Sequence, residues 1–159
     1  MDDAGVRPPS LLGLQSYLAG HVSRIGRLAL SGVLDDHRLK FPEFAALLAL
    51  QDFGPMPQFE VAERLDLNRS HLVGYLDALE GMGYVERFRD QRDRRRQLVG
   101  LTDSGKGFTK RLMVLARKTQ TEYLAVLSKA EQATLAELLT RVLRAYDQKR
   151  TGKPDQPAD

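Results

Sequence analysis

Between positions 87 and 96 the chain carries Arg87, Arg89, Arg92, Arg94, Arg95 and Arg96, with Asp90 and Asp93 set among them. Guanidinium groups at this density offer planar, permanently charged donors to phosphate oxygens. The excess extends beyond the run itself. Residues 64–118 hold thirteen Lys/Arg against seven Asp/Glu, whereas residues 1–63 hold five against eight and residues 119–159 six against six. A positive middle in a chain whose net charge is only +3 is the footprint of a surface that meets a polyanion, with a merely solvated hairpin as the plainer alternative. A second group lies just upstream. Asn68 is a good helix N-cap, and Leu72, Leu76 and Leu79 behind it give one apolar stripe. With that stripe turned inward, Arg69, Ser70, Val73, Gly74 and Asp77 face outward. A helix that enters the DNA major groove by its N-terminus presents such positions to base edges, while its dipole favours phosphate.

Other chemistries find little footing. The chain has no cysteine, which removes thiolate, disulfide and iron–sulfur chemistry. His21, His37 and His71 are too far apart in sequence to suggest a metal site, so none is predicted. No nucleophile with a paired base and no cofactor fingerprint is present: Gly105-Lys106-Gly107 lacks the Walker spacing, and Asn68-Arg69-Ser70 is a cap rather than a glycosylation triplet. The expectation is a binding protein, not an enzyme, working without a cofactor. The longest apolar run, residues 44–50, is too short for a membrane span, and the acidic start lacks a signal-peptide pattern; both predict a cytoplasmic chain with no membrane partner.

The elements that must position these groups follow from periodicity. At 159 residues, 42% apolar and 28% charged, the chain is long enough for one real core. Residues 1–9 and 148–159 are polar and Pro-containing and are predicted to be disordered tails. From Ser10, a predicted N-cap, Leu11, Leu14, Leu18, Val22, Ile25 and Ala29 mark a helix reaching about Val33 in an N-terminal region of residues 10–40. Gly13, Gly20, Gly26 and Gly32 weaken it by about 1 kcal/mol each relative to Ala, so packing must hold it. Within residues 41–102 a buried helix starts at Pro42 and stops at Gly54, and a short helix over 58–65 meets the Asn68 helix through a tight turn. Two β-prone stretches, 84–89 and 98–101, then flank the charged loop as a hairpin. Residues 103–147 give a long helix from about Ser104 to Leu127 and another that starts at the Ser128-x-x-Glu131 capping box. The fold class is mostly α: a winged helix-turn-helix with a small β-hairpin wing and N- and C-terminal dimerisation helices.

These motifs resemble the MarR family of winged-helix transcriptional regulators. The likeness is carried by residues 61–70, 79–87, Asp90 through Arg95, and residues 99–105 with their Leu101-Thr102-Asp103-Ser104-Gly105 close. It implies a homodimer on a palindromic double-stranded operator, with recognition by Asn68, Arg69, Ser70, His71, Val73 and Gly74. It also implies a wing-tip arginine in the minor groove, oriented by Asp93. Gly74 departs from the family, whose members often carry Arg there, and Gly81 stands where a basic residue is common; base readout would then shift towards Arg69, Ser70 and His71. The resemblance further implies an effector pocket, for which Tyr17, His21, Arg24 and Phe44 are candidates. A small aromatic or anionic effector would find its counter-charge in Arg24 or His21.

The dimer also has its own argument. Residues 41–102 can bury a core alone, which leaves the stripes of the terminal helices surplus; exposed, they would exceed the apolar patch that a soluble monomer tolerates. Two-fold pairing would set two recognition helices about 34–36 Å apart, one turn of DNA. The reading is therefore a DNA-binding regulator, a repressor relieved by a small molecule. The alternative is a winged-helix interaction module that no longer reads DNA.

Overall fold

The computed structural model describes residues 6–152, so residues 1–5 and 153–159 of the two predicted tails lie outside the described residues. In chain order the elements are α1 (Pro9–Leu12), α2 (Gln15–Asp36), α3 (Phe41–Phe53), α4 (Gln58–Leu65), α5 (Arg69–Gly81), β1 (Val85–Arg89), β2 (Gln97–Leu101), α6 (Asp103–Tyr123) and α7 (Lys129–Thr151). The fold is a winged helix-turn-helix. Three boundaries differ most from the sequence reading, one of them the end of α6, which stops at Tyr123 rather than Leu127. The helix expected from Ser10 to Val33 is broken where Gly13 and an extended Leu14 (φ −99°, ψ 109°) separate α1 from α2. At the other end α7 runs on to Thr151, through positions 148–151 that were expected to be disordered. The chain divides near Gln120 into two compact units.

The first unit is organised around α3. Its sequence, FPEFAALLALQDF, is apolar nearly all round, and six of its thirteen residues are buried. Pro42 suits the first turn because no intrahelical partner awaits its missing N–H, and the Glu43 carboxylate accepts the Lys40 backbone N–H at 2.7 Å. Leu47 of α3, Val61 of α4 and Leu72, Leu76 and Leu79 of α5 are essentially inaccessible, which is how the three helices close on one core. Asp66, in the left-handed region at φ 52°, makes the turn between α4 and α5, and Leu67 N–H returns to Ala62 O at 2.9 Å.

The hairpin is tied down at its base. β1 and β2 pair antiparallel from Val85↔Leu101 to Arg89↔Gln97, and Met56 adds an isolated bridge to Val99 through two backbone hydrogen bonds. Val85, Val99 and Leu101 put the inner face into the core. Gly83, at φ 77°, turns the chain out of α5. Thr102 Oγ1 then donates to Gly83 O at 2.7 Å and accepts the Gly105 N–H at 2.9 Å, so one hydroxyl joins that turn to the start of α6. A Cβ on Gly105 would lie 1.9 Å from Tyr84 O, hence only glycine fits there. Tyr84 stacks on Phe108 of α6 with ring centroids 3.9 Å apart.

In the second unit, Ser128 and Glu131 form the predicted capping box: Ser128 N–H donates to Glu131 Oε2 at 2.7 Å and Glu131 N–H to Ser128 Oγ at 3.3 Å. Hydrogen bonding of the Glu131 carboxylate to the Ser128 backbone N–H, and secondarily to the Ser128 side chain, holds that carboxyl below its ordinary value. The Gln132 side chain donates to Leu124 O and Leu127 O, satisfying carbonyls left over at the preceding turn. Apart from Thr151, whose burial is not described, α7 buries none of its residues, and Leu138, Leu139, Val142, Leu143 and Tyr146 all stand open.

Candidate nucleic-acid interface

Burial of the leucine stripe of α5 leaves Asn68, Arg69, Ser70, His71, Val73 and Gly74 on its exposed face. The start of the helix is well ordered by its cap: Asn68 Oδ1 accepts both the Ser70 N–H at 2.8 Å and the Ser70 hydroxyl at 2.6 Å. Gly74 looks onto open space, with nothing within 4 Å of where a Cβ would sit. Arg69 is engaged: its Nη2 donates to Glu63 Oε1 at 2.7 Å, and its guanidinium lies 5.6 Å from the Phe59 ring centroid.

The wing loop, residues 90–96, is shaped by two aspartates acting on backbone. Asp90 Oδ1 accepts the Arg92 N–H at 2.9 Å, Asp93 Oδ1 the Arg95 N–H at 3.0 Å, and Asp90 N–H and Arg96 O close the hairpin at 3.0 Å. Short Asp side chains suit such turns because they mimic a backbone acceptor. Asp93 thus orients the loop through the Arg95 amide.

The arginines of the wing divide by partner. Arg87 is only 16% exposed in its side chain and is clamped between Asp77 Oδ1, at 2.7 Å, and Glu80 Oε2 on α5. It was expected to face DNA with the rest of the run; instead it ties β1 to the flank of α5, since both carboxylates lie one turn apart on the helix beside the strand. Arg96 reaches Glu60 of α4 at 3.5 Å and Asp90 at 3.9 Å. Arg89 Nη1 leans on Arg95 O at 3.5 Å. Arg92, Arg94 and Arg95 are exposed, and among the described residues no side-chain ion pair holds them. Sequence reasoning missed Glu60, Glu63 and Glu80 as partners. Asp77 and Glu80 at i, i+3 on a helix facing a basic strand were the available signal.

The four effector candidates are not brought together. Tyr17 and His21 share a face of α2, their rings 4.3 Å apart, and Arg7 Nη1 donates to Tyr17 OH at 2.9 Å. Burial, followed by the charges of Arg7 and Arg24, lowers the His21 pKa, and among the described residues its buried Nδ1 has no hydrogen-bond partner. Phe44, by contrast, belongs to the α3 core, buried there because α3 is apolar on every side. Arg24 lines a cavity of about 420 Å³ with Arg27, Leu28, Leu34, Leu39 and Phe41, and that lining includes neither Tyr17, His21 nor Phe44.

Comparison with known proteins agrees with this geometry. Residues 39–96, which run from just before α3 to the end of the wing loop, match the family model described as the MarR family. The HTH-type transcriptional regulator TtmR of Methylorubrum extorquens (strain PA1) is 36% identical over 91 residues, 57% of this chain and 45% of that protein, so the match spans less than half of that relative's length. Among solved structures, the PcaV transcriptional regulator from Streptomyces coelicolor, in complex with its natural ligand, superposes with a TM-score of 0.71 at 30% identity, over 90% of this chain and 99% of that one. Wild-type MarR from E. coli in its apo form gives 0.71 at 26% identity, over 82% and 97% of the two chains.

Proposed function

The chain belongs to the MarR family of winged-helix transcriptional regulators, and on that premise we propose that it binds double-stranded DNA as a homodimer, α5 entering the major groove and the wing loop the neighbouring minor groove. The observation that carries the reading is the separation within the basic run: Arg87 and Arg96 are spent on protein carboxylates, while Arg92, Arg94 and Arg95 stay exposed and, among the described residues, without an ion pair, on a loop whose backbone is held by Asp90 and Asp93. Uncompensated guanidinium groups carried on a held backbone are what a narrow, strongly negative groove selects. If each neutralises one phosphate in each of two copies, the wings contribute about −5 to the slope of log K against log salt. The second copy is supported by the exposed apolar residues of α2 (Leu18, Val22, Ile25, Leu28) and of α7. Two-fold pairing makes the operator palindromic.

The domain roles follow: residues 41–102 contact DNA, and residues 10–40 and 103–147 pair the copies. Repression relieved by a small aromatic or anionic effector is the regulatory reading, supported by the ligand-bound PcaV neighbour and by the cavity that Arg24, Arg27, Asp35, Lys40 and Phe41 line. The test is a fluorescence-anisotropy titration on promoter DNA across a salt series, with sedimentation of the free protein. Arg95→Ala is expected to weaken operator and random duplex alike and to flatten the salt slope by about 2 for the dimer. An unchanged titration removes the wing from the interface, and absence of any preference for promoter over competitor DNA favours an interaction module.

A further inference from the structure

Arg69 is the only Lys or Arg in α5, and it sits at the helix's first position. Two side chains of α4 hold it. Phe59 and Glu63 are four residues apart and so adjacent on one helix face; the left-handed turn at Asp66 brings the start of α5 back to them. Glu63 Oε1 takes one N–H of the guanidinium at 2.7 Å and the Phe59 ring flanks its carbon at 5.6 Å, which leaves the remaining donors of the fork unassigned. Both partners of the pair are more than half exposed, so the bridge adds little to stability. Its effect is on charge and direction. Random duplex is bound through net cations offered to phosphates, whereas a particular sequence is bound through donors aimed at base edges. An arginine already matched by a carboxylate contributes little to the first and, being oriented, keeps its value for the second.

We propose that Phe59 and Glu63 make Arg69 the specificity-determining residue of α5, a held guanidinium that reads a guanine edge and adds almost nothing to binding of unrelated DNA. Guanine O6 and N7 present the acceptor pair that fits an arginine fork. With Gly74 lacking a side chain farther along the exposed face, Arg69 has no other Lys or Arg on α5 to share that role, and His71 offers no planar fork of donors. The inference rests on α5 entering the major groove.

The experiment uses the full chain and two probes: a duplex enriched by the wild-type protein from a randomised pool, and the unselected pool itself. Arg69→Ala is expected to lose about tenfold or more on the enriched duplex, with little change on the pool or in its salt slope. Glu63→Gln should do the converse. It is expected to tighten pool binding about two- to fivefold, steepen the slope by about 0.9 for each copy, and leave the enriched duplex no better bound, so that discrimination narrows. Thermal melts confirm that both variants are folded. Arg69→Ala weakening both probes equally with a flatter slope would make Arg69 an ordinary backbone cation and overturn the proposal, as would a Glu63→Gln gain that survives in the Glu63→Gln/Arg69→Ala double variant. Failure of the wild-type protein to enrich any sequence would instead remove the groove assignment on which the proposal stands.

Discussion

α3 and α7 begin alike and end differently. Each opens with a glutamate at its third position that accepts a hydrogen bond from the residue before the helix, Glu43 from Lys40 and Glu131 from Ser128, and each is rich in leucine. Yet α3 buries six residues, whereas α7 leaves Leu138, Leu139, Val142, Leu143 and Tyr146 in the open. The difference lies in distribution. Apolar residues all round a helix demand neighbours on every side, which a single chain supplies to α3 from α4, α5 and β2. A stripe along one face of α7 demands one partner, and among the described residues of its own unit none covers it. Local capping starts a helix; what surrounds the helix decides how much energy its side chains yield.

The comparison can be broken most forcefully in α3. Leu47→Ala should cost about 2–5 kcal/mol in urea unfolding, because a fully buried side chain is removed from a close-packed site. Leu143→Ala on α7 should leave the unfolding of an isolated chain almost unchanged. If the two cost the same at every protein concentration, α7 is buried by its own chain and the contrast fails.

The next test asks what covers α7. Val142, 70% exposed, can accept a carboxylate without disturbing the chain that carries it. On the proposed pairing, Val142→Glu should therefore shift sedimentation from dimer to monomer while helical circular dichroism is retained, and should weaken operator binding because two half-sites would no longer be gripped together. A Val142→Glu protein that still sediments as a dimer would place the interface elsewhere.

The smallest effect separates the two caps. The Glu131 carboxyl is held below the ordinary carboxylate value of 4.5 by its bonds to Ser128. A depressed folded-state pKa gives stability that is fully present above the unfolded value and is lost as pH falls through the folded one. Melting temperature should thus decline slightly more steeply below pH 4.5 in the parent than in Glu131→Gln, whose side chain has no charge to lose. Parallel pH profiles for the two proteins would show that the cap is not electrostatic.

How much of this was legible in the sequence depends on the range of the interaction. The Asn68 cap, the Ser128–Glu131 box, the helix-turn-helix and the hairpin all follow from residues within a few positions of one another, where spacing fixes geometry. The fates of the arginines do not. Arg87 was grouped with its neighbours in a basic run, but its partners are seven and ten residues back, across a turn that only the folded chain closes. Arg69 was read as an outward cation because periodicity tells which side of α5 faces away from the leucines, and it does not tell that Glu63 waits on the next helix. Phe44 shows the same limit from the other side: an aromatic near the N-terminal region could line a pocket or fill a core, and the apolar composition of α3 decided for the core. The break at Gly13 escaped the pattern because helical spacing continued across it.

Gly74 gives the family's scaffold an evolutionary opening. Since nothing lies within 4 Å of where its Cβ would sit, a side chain can leave the helix there without a clash at its first carbon, and alanine would raise helix propensity by about 1 kcal/mol. On the proposed groove assignment, a change of operator preference is therefore reachable by substitution at this one position while the buried leucine face of α5 stays as it is.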